Sequence, residues 1–174
     1  MDTNHLPMPR FFLLLLGAIC VVLSGLSGCQ TALNFAAPEA NWKTYLGQMH
    51  YSNGTGRSVV GEVVARRSPD GSGFQLQFSS GPGFPLLKLY ESGTTVRAEG
   101  VFARGRWQGQ ASAAPAQLRN WVRLGEVFGQ LESGRSSLSG AGWTAQVQSA
   151  GGKPQSLIVS FAAGGERFAF HFNP

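Results

Sequence analysis

The sequence predicts a mainly β (α+β) protein: a curved antiparallel sheet, or incomplete β-barrel, with one short helix packed on it. Apolar and polar residues alternate along most of the chain, as at Phe74, Leu76 and Phe78, a period typical of half-buried antiparallel strands. Glycine-rich turn signals such as Gly151-Gly152 separate these segments. Only residues 115–131 have apolar residues at helical spacing.

Composition excludes several classes of protein. The chain has 174 residues, of which 43% are hydrophobic and 13% charged, too apolar for a disordered polar chain. Its two cysteines are too few for a disulfide-rich scaffold or a four-cysteine zinc site. The formal net charge is +5, but the cations are scattered, so we expect no nucleic-acid partner.

Residues 1–28 have the pattern of a secretory signal peptide. Arg10 precedes 13 mostly apolar residues, Phe11 to Leu23, which are too few to span a bilayer comfortably. The next residues include Leu26, Ser27, Gly28 and Cys29. These four resemble the lipobox of bacterial lipoproteins, which implies that Cys29 is the lipidated residue. That resemblance implies cleavage before the cysteine and acylation of its thiol, and Gln30 implies sorting to the outer membrane. A signal anchor, or an ordinary signal with a chance cysteine, is the alternative.

Residues 29–41 are predicted to be a lipidated tether, and residues 42–174 a single domain. The turn signals and the alternation divide that domain into about nine or ten strands. The predicted strands lie near 42–51, 57–67, 73–80, 85–91, 94–100, 101–109, 135–140 and 142–149, with two more within 155–172.

The helical segment begins at Pro115, a residue suited to a first helical turn. Its apolar residues at 118, 121, 122, 128 and 131 form one stripe. Gly125 and Gly129 each weaken a helix by about 1 kcal/mol relative to Ala, so we expect one helix, bent or broken at Gly125.

The sequence favours no catalytic or metal site. Asp70 falls on a predicted hairpin tip, and hairpin tips are exposed to solvent. We therefore do not expect Asp70 to form a Ser–His–Asp triad with His50 or His171. The glutamates are scattered singly, although a glycosidase pair among them is left open. No spacing of metal ligands is evident, so we expect no metal and no cofactor.

Four short and permissive stretches occur in order: Phe74 to Leu89, Gln117 to Val122, Gly142-Trp143 and Pro154 to Phe172. From the first to the last, they span about two thirds of residues 29–174. Together they resemble the outer-membrane lipoprotein receptor LolB and its LolA/LolB-type relatives. The resemblance implies an incomplete antiparallel barrel around an apolar cavity, covered by helices, that takes lipoproteins from a periplasmic carrier and inserts their acyl chains into the outer membrane.

Two departures from that family are visible. Pro82 stands where the family has a protruding leucine, and Phe84 is the nearest bulky apolar residue, so these two form the candidate membrane-contact loop. The chain is also too short for all of the family's covering helices. The predicted cavity-lining residues, each of which could equally be ordinary core, are Leu76, Phe78, Leu87, Leu89, Trp107, Trp121, Phe128, Val159, Phe161, Phe168 and Phe170.

Two functions follow as expectations. The first is a monomeric, non-catalytic lipoprotein on the periplasmic face of the outer membrane that binds acyl chains or lipoproteins in its apolar half-barrel. The second is a structural or assembly lipoprotein of the envelope, with a filled core and a docked protein partner. An enzyme is the weakest expectation, because it requires a cleft with converging titratable groups.

Overall fold

A computed structural model describes residues 40–81 and 84–174. All of these belong to one compact unit, Phe35–Pro174. The predicted signal peptide, the lipobox with Cys29, most of the tether and Pro82 lie outside the described residues.

The described part contains ten strands and two short helices. The strands are β1 (Lys43–Ser52), β2 (Ser58–Arg67), β3 (Gly73–Ser80), β4 (Phe84–Ser92), β5 (Thr95–Gly100), β6 (Gly105–Gln110), β7 (Ser137–Gly140), β8 (Trp143–Ala150), β9 (Lys153–Phe161) and β10 (Arg167–Phe172). The helices are α1 (Ala116–Val122) and α2 (Leu124–Leu131), and a single 3-10 turn, Ala111–Ala113, precedes them.

All ten strands form one antiparallel sheet that does not close into a barrel. The strand order is β6-β5-β4-β3-β2-β1-β10-β9-β8-β7, so β6 and β7 are the two edges. The chain segment that contains α1 and α2 runs from one edge strand to the other. We call this helix pair the helical cover.

The alternation predicted from the sequence is confirmed by the burial pattern. Phe74, Leu76 and Phe78 of β3 are at most 2% exposed, whereas Gln75 and Gln77 between them point to the opposite face. The same parity holds in β10, where Phe168 and Phe170 are fully buried. We call the face that carries these buried residues the inner face of the sheet.

Two boundaries differ from the sequence-based expectations. The strand expected over 101–109 begins only at Gly105, because Val101 to Arg104 form a turn in which Arg104 has a φ of 53°. The helical segment is interrupted at Arg123 and not at Gly125, which lies inside α2. Because Gly125 has no side chain, α2 can pack closely against Glu91 and Phe74 at this position.

Candidate functional site

The residues predicted to line a cavity lie on the inner face of the sheet and on the helical cover. Ten of the eleven are at most 3% exposed. Trp107, on edge strand β6, is only half-buried and packs against the margin of the core. The structure therefore brings these residues together into one apolar cluster.

Trp121 of α1 stands at the centre of that cluster. Its indole meets the ring of Phe168 edge-on, with centroids 4.8 Å apart and planes at 89°. Such aromatic pairs contribute about 0.5–1.5 kcal/mol each beyond the area they bury. Three more rings surround it: Tyr51 at 5.0 Å, Phe102 at 5.2 Å and Phe78 at 5.9 Å.

Phe128 of α2 makes a second aromatic centre nearer the other end of the strands. Its ring lies 5.3 Å from Tyr45, 5.4 Å from Phe74 and 5.4 Å from Phe170. Phe128 is fully buried. The space between the helical cover and the sheet is thus filled by side chains around both Trp121 and Phe128.

Asn120 attaches α1 to the turn between β9 and β10. Its amide nitrogen Nδ2 donates to Oε2 of Glu166 at 2.6 Å and to the carbonyl of Ala163 at 3.2 Å. The hydroxyl of Tyr51 donates to the other carboxylate oxygen of Glu166 at 2.7 Å. Burial, and then the hydrogen bond to Glu166, raise the pKa of Tyr51 well above its ordinary value.

Arg67 and Glu91 lie beneath α2, on the inner face of β2 and β4. The Nη1 of Arg67 donates to the carbonyl of Gly125 at 2.8 Å. Glu91 is close to the same residue, since a Cβ at Gly125 would collide with Glu91 Oε2. Glycine at 125 and at 129, where a Cβ would lie 2.8 Å from Arg67 Nη2, lets α2 approach these charged groups.

The closure over Glu91 is incomplete in hydrogen-bonding terms. Its Oε2 is buried and has no hydrogen-bond partner among the described residues. Burial raises the pKa of Glu91, and the nearby Arg67 only partly opposes that shift. A buried polar group without a hydrogen bond costs about 1–3 kcal/mol, so covering Glu91 with α2 has a free-energy cost.

A third polar attachment holds α2 to the β7–β8 hairpin. Nε1 of Trp143 donates to Oε2 of Glu126 at 3.1 Å. Gly140 leaves room for this arrangement, because a Cβ there would lie 2.7 Å from Glu126 Oε1 and would strike the Trp143 indole. Each helix of the cover is therefore fixed to the sheet by few polar bonds and by its aromatic side chain.

Three cavities of the described part are lined by residues outside the helical cover. One of about 90 Å³ lies on the outer face between Arg66, Gln77 and Tyr90. An open depression of about 300 Å³ lies beside Trp143, and a cavity of about 80 Å³ is bordered by Trp42 and by Glu91. No residue of α1 or α2 lines any of the three. A small-molecule site of ordinary size, about 300–1,000 Å³ and enclosed, is therefore not found among them.

Phe84 opens β4 after the β3–β4 turn and is 60% exposed. It is thus available for contact with another surface. Its predicted neighbour in the loop, Pro82, lies outside the described residues.

The described ranges place no catalytic constellation in the cluster. Hydrogen bonds from Ser68 and Ser72 engage the carboxylate of Asp70 within its own hairpin and lower its pKa to about 2. His50 and His171 are exposed on other strands. Within 40–81 and 84–174, no three His, Cys, Asp or Glu side chains are grouped closely enough to hold a metal ion.

Sequence reasoning missed the polar residues of this site. Glu91 and Arg67 have the same strand parity as the buried Leu89 and Ala65. A charged residue at an inward position of an alternating strand is therefore the signal that could have found both. Asn120, between Arg119 and Trp121 on a short helix, carries no comparable signal.

The chain matches no protein-family model, and no curated protein is significantly similar to it. The resemblance to LolB thus depends on the four stretches quoted above. Among the described residues, no helix has the length and apolar character needed to cross a membrane.

Proposed function

We propose that this chain is a lipid-anchored, non-catalytic lipoprotein of the outer membrane that binds acyl chains beneath its helical cover and assists the localisation of lipoproteins. Cys29 carries the lipid anchor, and Phe84 faces the membrane. The acyl chain occupies the apolar inner face of the sheet after the helical cover moves aside. The substrate class and the location come from the resemblance to LolB and to lipoprotein signals.

The observation that carries the proposal is the poor fit of α2 over Glu91. The unpartnered Oε2 of Glu91 is buried beneath Gly125, and α2 contains two glycines that lower its intrinsic stability. A helix selected only to close a core has no need of a buried unpaired carboxylate beneath it. In a helical cover that must open, the unpaired carboxylate is useful, because it destabilises the closed form and so reduces the free energy of opening.

Chemistry supports an acyl chain as the occupant. The inner face presents fully buried apolar side chains from β3, β4, β9 and β10, including Phe78, Leu87, Val159 and Phe170. Burying one CH₂ group contributes about 0.8 kcal/mol, so an alkyl chain that replaces Trp121 and Phe128 recovers much of their apolar contact.

Titration of the lipid-free domain, residues 35–174, with a fluorescent fatty acid tests the proposal. We expect binding that unlabelled palmitate competes away. Asn120→Ala loosens the cover and should tighten apparent binding about tenfold, because affinity scales with the population of the open form. Glu91→Gln should weaken it several-fold. Glu62→Gln, an exposed change on the outer face, is the matched control and should leave binding unchanged.

A second candidate is favoured by the aromatic packing around Trp121 and Phe128. With that seam filled, the protein would be a structural envelope lipoprotein that docks a protein partner. Absence of fatty-acid binding in the wild type and in Asn120→Ala alike, together with one stable crosslinked protein partner in membranes, would replace the first proposal by this one.

A further inference from the structure

One end of the sheet differs from the other in its exposed apolar side chains. The β1–β2, β5–β6 and β9–β10 turns and the start of β4 all lie at the same end, because neighbouring strands of this sheet are antiparallel. We call it the turn end. Three large apolar residues there are well exposed: Val60 at 61%, Phe84 at 60% and Val101 at 57%.

The opposite end of the sheet has a different character. Within the described ranges, its turns at 68–72, 93–94 and 151–152 carry no exposed large hydrophobic residue. Lys43, which begins β1 there, is paired with Glu132 at 3.3 Å. Among the described residues, the exposed large hydrophobic side chains are therefore concentrated at the turn end, and the one elsewhere is Leu46, 49% exposed, three residues from the opposite end of β1.

Unpaired cations accompany the apolar residues. Arg57, Arg104 and Arg167 are exposed in or beside three of the turns, and none makes an ion pair with another described residue. Arg106 is nearby but lies 3.7 Å from Glu99. The acids at this end are Glu62, Glu99 and Glu166. The carboxylate of Glu166 already accepts hydrogen bonds from Tyr51 and Asn120. With Arg106 included, the arginines at the turn end outnumber these glutamates by one, so this end keeps a small net positive charge.

The turn that carries Arg57 is preorganised. Oδ1 of Asn53 accepts hydrogen bonds from the backbone nitrogen of Arg57 at 2.9 Å and from the hydroxyl of Thr55 at 2.8 Å. The backbone nitrogen of Gly54 donates to the carbonyl of Gly164 at 3.1 Å, which ties this turn to the β9–β10 turn. A fixed arrangement of side chains loses less conformational entropy when it meets a partner surface.

We infer that the turn end docks on an anionic lipid bilayer, with the arginines at the headgroups and Val60, Phe84 and Val101 in the interfacial layer. The inference extends the proposed membrane role of Phe84 from one residue to a whole end of the sheet, and it rests on that role. Exposed apolar residues bordered by cations match a surface that is apolar within and negatively charged at its boundary.

The chain length before β1 allows the anchor and the turn end to share one bilayer. Strand β1 has 10 residues and is therefore about 33 Å long. Thirteen residues lie between Cys29 and Lys43, and the fourteen residue steps from one to the other span at most about 46–50 Å. A lipid on Cys29 can thus lie in the membrane that the far end of β1 contacts.

Sedimentation of the lipid-free domain, residues 35–174, with vesicles tests this inference without the anchor. Vesicles of phosphatidylcholine alone are compared with vesicles that contain phosphatidylglycerol as the anionic lipid. We expect binding to the anionic vesicles that weakens as salt is raised, and much weaker binding to the neutral ones. Equal binding to both, or binding to neither, would overturn the inference.

Two charge-matched variants locate the surface. R57Q/R104Q should bind the anionic vesicles on the order of tenfold more weakly than the wild type. R135Q/K153Q removes the same charge from exposed positions at the opposite end and should bind like the wild type. Equal losses in the two variants would show that net charge and not the turn end is responsible. Because the fatty-acid titration contains no bilayer, the acyl-binding proposal can fail or succeed independently.

Discussion

Nδ2 of Asn120 lies 2.6 Å from Oε2 of Glu166, and this bond joins the helical cover to the β9–β10 turn. Asn120 is only 6% exposed, so the bond is formed where water competes weakly. It is the polar contact that fixes α1, just as Arg67 and Trp143 fix α2.

Asn120→Ala is therefore expected to lower the free energy of unfolding by about 2 kcal/mol, because it removes a hydrogen bond to a charged group. Urea denaturation checks this value. Tyr51→Phe removes the other bond to Glu166, and the double variant should destabilise by less than the sum of the two, since both act on one carboxylate. Strict additivity would contradict a shared role.

Trp121→Ala should cost about 3–5 kcal/mol, because it empties the centre of the aromatic cluster. Trp107→Ala is the matched control on the edge strand, where the indole is only half-buried, and it should cost clearly less. The midpoints of thermal or urea unfolding measure both. Similar costs for the two variants would contradict a filled seam centred on Trp121.

Gly125→Ala tests the close approach of Glu91 to α2. In an isolated helix the substitution would stabilise by about 1 kcal/mol. Here the added Cβ collides with Glu91 Oε2, so we expect a net loss of about 1–2 kcal/mol. In a Glu91→Ala background the same substitution should become neutral or stabilising. A stabilising effect in the wild-type background would show that Glu91 does not lie beneath Gly125.

The pH dependence of stability tests the burial of Glu91. Because burial raises its pKa, the folded state holds this proton more tightly than the unfolded state. The contribution of Glu91 to stability should thus fall as pH rises from the unfolded pKa, about 4.3, through the raised folded value. Glu91→Gln should be more stable than the wild type at neutral pH by about 1 kcal/mol, and the difference should shrink in acid.

Urea denaturation in steps from acid to neutral pH measures that difference, with Glu62→Gln as the exposed control. A gap between wild type and Glu91→Gln that stays constant across the range would mean that Glu91 titrates alike in both states. The raised pKa would then be wrong.

Much of the fold could be predicted because alternation and turn chemistry are local. The antiparallel sheet, its inward residues and the helical segment all follow from periods of two and of 3.6 residues. The turn at Val101 to Arg104 could not be predicted, since Arg104 adopts a positive φ that no residue type there announces. Phe102 consequently lies beside Trp121 and not in a strand.

The site was predictable only as a set of apolar residues. Whether Phe78 and Phe168 line a cavity or fill it depends on which side chains face them from the helical cover, which is a tertiary matter. The position of Gly125 within α2 is also set by tertiary contacts. Helix propensity alone predicts a break at Gly125, but this residue lies against Glu91 and Arg67 inside α2.

The central claim is that an acyl chain displaces the helical cover from the inner face of the sheet. Hydrogen–deuterium exchange of residues 35–174 with and without palmitate tests it most directly. We predict that bound palmitate speeds exchange of the amides in α1 and α2 and leaves β1, β2 and β10 protected. Binding that leaves exchange in residues 116–131 unchanged, or no binding at all, would contradict the claim.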